Sequence, residues 1–341
     1  MRARAAIGAA ALALAPGVFA GPPAERPAAE PAEWLVKMSE AARTANYQGT
    51  IVYQDDDMLE TMRLTHRFEN GVERERVQAL TGEPREIQKQ DSKVTCLLPR
   101  DRKLTMERPT PKGLFPGLSR ERLQQLAAVY EFDDLGTARL AGRVCRGVAI
   151  TPRDDLRYGY EVWADEKTNV PLKVNLIGRD GSVLEQMMFT EIDFPAAIPD
   201  TAFQTELKPE GYREVTRTAG ASRPASTAGG TWQFKQLPPG FHVTMRDVRT
   251  LADGGTVEHV LLSDGLSAIS IFSANKSSPA KVFPWVSQMG AVHAYGRMMG
   301  SFHVTVIGEA PPQTVRMIGD NLRPGEAGPE PVSAPASSHK P

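Results

Sequence analysis

Between Tyr47 and Phe194 the chain repeats one unit: a short run in which side chains alternate in character, then a cluster of turn formers. The runs fall at 47–54, 59–68, 72–80, 86–90 and 94–98, and again at 138–140, 143–151, 157–164, 170–177 and 183–194. Asp55-Asp56-Asp57, Asn70-Gly71, Gly82-Glu83-Pro84 and Arg179-Asp180-Gly181-Ser182 separate several of them. A period of two closed by such turns demands an antiparallel sheet, because only hairpin neighbours can be joined by so few residues. Two stretches break the rhythm. Trp34, Leu35, Met38, Ala41 and Ala42 recur at helical spacing up to about Asn46, and Ser119 caps a second helix running from Arg120 to about Tyr130. The expectation is α+β: a large, curved antiparallel sheet, an open half-barrel with its helices on the concave face.

The remaining segments divide the chain. Arg2 and Arg4, an Ala/Leu-rich stretch broken by Gly8, Pro16 and Gly17, and Val18-Phe19-Ala20 read as a cleaved signal peptide over 1–20. That stretch is too short for the roughly 20 apolar residues of a membrane-spanning helix. Export to the periplasm as a soluble protein is therefore expected. A Pro/Ala/Glu-rich lead-in covers 21–32, the first domain 33–207, and a Gly/Ser/Thr-rich linker 208–230. A second, smaller domain at 231–322 carries strand-like segments around Ser263-Asp264-Gly265, 290–297 and 303–309. Pro312, Val315 and Ile318 mark its short helix, and 323–341 is a Pro/Ala/Ser-rich tail expected to be disordered.

With 40 Lys+Arg against 41 Asp+Glu, the chain lacks the basic excess that nucleic acid would require. Cys96 and Cys145 are the only cysteines, and in an oxidising compartment the pair is expected to form a disulfide, the alternative being two separate buried thiols. None of the six histidines pairs with another at the spacing of a helical metal site. No nucleophile, base and orienting group come together, so neither an enzyme nor a metal or cofactor is expected.

Two blocks carry a resemblance. Arg157-Tyr-Gly-Tyr-Glu-Val-Trp-Ala-Asp165 with Pro171-Leu-Lys173 and Glu185-Gln186 resembles the first domain of periplasmic sigma-factor regulators of the RseB/MucB family. The SDGL turn at Ser263, AYGR at Ala294 and VTVIGEAP at Val304 resemble their second domain. The resemblance implies a first domain like the lipoprotein carriers. It also implies binding to the periplasmic domain of a membrane-spanning anti-sigma factor, which is thereby kept from the site-1 protease. Lipopolysaccharide or lipoprotein acyl chains would release it, and self-association is part of the family pattern. The other reading is a periplasmic lipid or lipoprotein carrier, for which the first domain alone would suffice.

The candidate lipid-pocket residues are Leu64, Phe68, Leu97, Val162, Leu176, Met188 and Phe189, with an ordinary core as the alternative for each. Arg100, Arg102 and Lys103 are candidates for lipid phosphates, with a solvated turn as the alternative. Tyr158, Tyr160, Phe272, Tyr295 and Arg297 are candidates for the partner surface, whereas Trp163, on the other face of its strand, reads as packing.

Overall fold

The structure, a computed structural model, describes residues 29–55, 58–99, 117–207, 209–218, 232–250, 256–275 and 286–325. The signal peptide, Asp56, Asp57, and the Arg100, Arg102 and Lys103 cluster lie outside the described residues. In the first domain α1 (Ala29–Thr44) precedes β1 (Tyr47–Asp55), β2 (Met58–Glu69), β3 (Val72–Ala79), β4 (Glu86–Gln90) and β5 (Lys93–Pro99). Then come α2 (Arg120–Leu126), β6 (Tyr130–Leu140), β7 (Arg143–Pro152), β8 (Gly159–Asp165), β9 (Pro171–Ile177), β10 (Val183–Asp193) and β11 (Tyr212–Thr218). These eleven strands form one sheet in the order β11-β5-β4-β3-β2-β1-β10-β9-β8-β7-β6, and every pairing is antiparallel.

The sheet curls because strands twist and because four bulges bend it, among them Thr50/Ile51 on β1 and Asp134/Gly136 on β6. The curvature brings strands far apart in the order onto one helix: α1 packs against β2, β6, β7 and β9. Leu35 and Met38 are fully buried in that concave face, and Trp34 nearly so. Ser119 accepts from the Arg122 amide at 3.2 Å, a cap of the kind that stabilises a helix by about 1 kcal/mol.

The second domain holds β12 (Trp232–Phe234), β13 (His242–Thr250), β14 (Thr256–Ser263), β15 (Ala268–Asn275), β16 (Val286–Met289), β17 (Val292–Met299) and β18 (Phe302–Glu309). After α3 (Pro312–Asn321), β19 (Leu322–Pro324) returns to pair with β12. The main sheet has the order β13-β14-β15-β18-β17-β16. Its inner face, with Ile269, Ile271, Val304 and Val306, packs under Val315 and Ile318 of α3 and against Trp232, whose indole donates to Ser273 Oγ at 2.7 Å.

Several expectations need correction. Helix α1 begins at Ala29 inside the expected lead-in, since Pro31 falls in the first turn, where its missing N–H costs nothing. Helix α2 stops at Leu126, and the alternating Tyr130, Phe132 stretch already belongs to β6. Part of the expected linker is β11, which pairs with β5 from Tyr212 opposite Pro99 to Thr218 opposite Lys93. Leu322–Pro324 is strand, so the tail cannot start at 323. The disulfide between Cys96 and Cys145 is also overturned. They sit on β5 and β7, with β4, β3, β2, β1, β10, β9 and β8 between them, and they are not bonded. Buried Cys145 has its thiol pushed up to about 11, chiefly by burial.

Candidate functional site

The two resemblance blocks meet in space. Arg157, just ahead of β8, points its guanidinium at Asp264 in the β14–β15 turn, Nη1 to Oδ2 at 2.6 Å, and neither side chain has any solvent exposure. An isolated charge in such a place would cost several kcal/mol, so the pair persists only if its remaining hydrogen-bonding capacity is met. Both members meet it. Asp264 Oδ2 also accepts from Tyr130 Oη at 3.0 Å, while Oδ1 takes the amides of Leu266 and Ser267 at 2.9 and 2.8 Å. Arg157 donates from Nε and Nη2 to Asp154 at 3.0 and 2.9 Å and from Nη2 to the Pro239 carbonyl at 2.6 Å. Its guanidinium lies over the rings of Tyr130 and Phe241, 5.5 and 5.2 Å from their centroids.

Around this centre the domains are joined along one line. Tyr158 Oη lies 3.4 Å from His293 Nδ1, and Tyr160 donates to Glu309 at 3.2 Å. Gln313 and Thr314 in the first turn of α3 donate to the carbonyls of Asp155 and Leu156 at 2.7 and 2.8 Å. Leu266, 5% exposed, belongs to the first domain's core cluster with Leu123, Leu126, Val129 and Tyr130. Ala291 packs with Tyr158 and Leu176.

Titration follows from burial. The Tyr158 hydroxyl is pushed up to about 12, mainly by burial with Glu309 adding, and those of Tyr130 and Tyr160 go well above the ordinary range for the same leading reason. All three stay neutral donors near neutrality. Burial lowers the pKa of His293, favouring the uncharged ring that can accept from Tyr158.

Comparison with known proteins follows the same two units. Residues 30–207 match the MucB/RseB N-terminal domain and 226–323 the MucB/RseB C-terminal domain. The chain belongs to the MucB/RseB family. The sigma factor AlgU regulatory protein MucB of Pseudomonas aeruginosa is 30% identical over 314 residues, 88% of this chain and 93% of that protein. The solved complex of Pseudomonas aeruginosa MucA/MucB contains a chain of TM-score 0.69 and 28% identity, covering 86% of this chain and 99% of that one. MucB crystallised with MucA(peri) gives a TM-score of 0.67 at 28% identity over 86% and 98% of the two chains.

In this MucB/RseB member the seven pocket candidates do not share one surface. Leu64 and Phe189 are in the core cluster with Tyr47 and Ile51, Val162 is in the cluster under α1 and α2, and Leu176 packs at the domain interface. Phe68, Leu97 and Met188 are half-buried. None of the seven lines the cavity of about 280 Å³ beside Ile150, Asp154 and Tyr160, or the smaller one of about 110 Å³ beside Glu75 and Phe203.

Of the partner candidates, Tyr158 and Tyr160 are turned into the domain interface. Tyr295 donates to Asp320 at 2.8 Å and Arg297 to the Gly319 carbonyl at 3.0 Å, so both hold α3 onto its sheet. Phe272 alone of the five is an exposed apolar ring, stacked on His259 with centroids 4.4 Å apart. Trp163 packs as expected, flat over Gly147 on the adjacent strand, where a β-carbon would come within 2.6 Å of the indole. Sequence reasoning missed Arg157 and Asp264 as a pair. The available signal was that each opens or centres one of the two most specific motifs.

Proposed function

We propose that the chain is a periplasmic regulator of an envelope-stress sigma factor. It binds the periplasmic domain of a membrane-spanning anti-sigma factor and keeps it from the site-1 protease. Lipopolysaccharide or lipoprotein acyl chains then release it. It works by binding, not by turnover. One observation carries the reading: the chain superposes, across both domains, on 99% of a chain in the solved MucA/MucB complex at a TM-score of 0.69. The leader read at 1–20 would deliver it to the compartment where such a partner exposes its domain. Release requires only that the lipid bind the partner-free form better than the complex.

The test is retention of envelope proteins on the immobilised chain, repeated with lipopolysaccharide added. Retention of a single-span membrane protein that lipopolysaccharide displaces is the expected result. Transfer of lipid between membranes in stoichiometric amounts, with no such protein retained, would make it a carrier instead.

A further inference from the structure

Among the members of the first domain's core cluster under α1 and α2, Leu266 alone comes from the second domain. It arrives on a tight turn whose shape is fixed by Asp264 Oδ1 holding the Leu266 and Ser267 amides, while Oδ2 is held by Arg157 and Tyr130 of the first domain. The same carboxylate therefore both shapes the turn and docks it. The turn lies against α2, where a β-carbon on Gly265 would stand 3.5 Å from the aliphatic stem of Arg122 and 3.6 Å from Leu126. This is also the side of the sheet that ends in its edge strand β6.

We propose that Leu266 is a plug: the SDGL turn occupies a niche in the first domain that an acyl chain of an anionic lipid takes when the domains separate. The inference rests on the lipid reading given above and adds where the chain enters and what it must displace. With the turn gone, the niche presents Leu123, Leu126 and Val129, a lining suited to a saturated chain. Arg157 loses its Asp264 partner at the same moment, and Arg122 loses the turn that covers its stem. The Arg157 guanidinium and the cationic Arg122 side chain beside an apolar niche suit a lipid whose acyl chains are carried on a phosphorylated headgroup. Because plug and acyl chain exclude one another, lipid binding and domain docking are coupled, and each weakens the other by the same factor.

The test uses the full chain and lipopolysaccharide micelles. A β-carbon on Gly240 would lie 3.3 and 3.4 Å from the two Val129 γ-carbons, within the reach of a disulfide, at the cost of a side chain at φ +79°. Binding is measured for wild type, for Leu266→Ala, and for Val129→Cys/Gly240→Cys in its oxidised and reduced forms. The plug requires the oxidised form to bind at least about tenfold more weakly than the same protein reduced, and Leu266→Ala to bind more tightly than wild type by a similar factor. Equal binding by oxidised and reduced protein, with wild type also binding, overturns the plug and leaves the lipid reading standing. No binding by any form overturns both. Should Leu266→Ala fail to fold, the oxidised and reduced pair decides alone.

Discussion

Arg157 and Asp264 have each given up all contact with water, which makes removing one very different from removing both. Asp264→Ala would strand the guanidinium among Tyr130, Phe241 and the Pro239 carbonyl, with only Asp154 left as counter-charge. Breaking one side of such a buried pair costs about 3–5 kcal/mol, whereas replacing both members by apolar residues of similar size is often neutral. Urea denaturation should therefore find Arg157→Met/Asp264→Leu much closer to wild type than Asp264→Ala. A second residue-scale expectation concerns Gly147, where a methyl group would drive into the Trp163 ring. Gly147→Ala should lose about 1–3 kcal/mol in the same measurement, as overpacked sites do.

At the scale of elements, the segment after β10 acts as a strap. From Ile198 to Thr205 it crosses the outer face of β2, β3 and β4. Arg67 donates to the Ile198 carbonyl at 2.8 Å, Arg76 to that of Ala202 at 3.2 Å, and Thr205 to Glu86 at 3.2 Å. Phe203 fills the middle, buried, with the guanidinium groups of Arg67 and Arg74 5.2 and 4.5 Å from its ring centroid. Phe203→Ala should cost about 3–5 kcal/mol, seen as a lower urea midpoint.

Strands β1–β5 were legible because turn chemistry frames them: Asn70 and Gly71, both at positive φ, close the β2–β3 hairpin as such pairs do. Strand β11 was not legible, because Arg213, Glu214 and Arg217 make it read as linker, and its pairing partner β5 lies far back in the chain. The site was half legible. Both motifs stood out, but which carboxylate a given arginine meets is decided by the fold of two domains, and no local period records it. The pocket candidates failed to converge for a related reason: alternation gives a residue's face only once register is known, and bulges such as Thr50/Ile51 shift it.

For the whole molecule, the buried ring of His293, in contact with Tyr158 of the other domain, gives stability an acid limit. His293 has its pKa lowered from the ordinary 6.5 by burial, so its ring binds a proton more tightly in the unfolded chain than in the folded one. Its contribution to folding stability is thus complete above pH 6.5 and falls as the pH drops through 6.5 toward the lowered value. Glu309, facing Tyr160, and Glu185 near Tyr158 are the carboxylates beside this contact. Urea denaturation at falling pH should show stability dropping in that range, and His293→Gln should make the drop smaller. A His293→Gln protein that loses as much stability as wild type on going from pH 7 to pH 5 would contradict it.

Binding of an anti-sigma factor that lipid then displaces is an equilibrium open to measurement. Calorimetric titration of the purified periplasmic domain of the anti-sigma factor into the full chain, with and without lipopolysaccharide, tests it most directly. A saturable complex that lipopolysaccharide weakens by about tenfold or more is the result expected. No heat of binding, or an affinity unmoved by lipopolysaccharide that itself binds the chain, would contradict a lipid-released regulator.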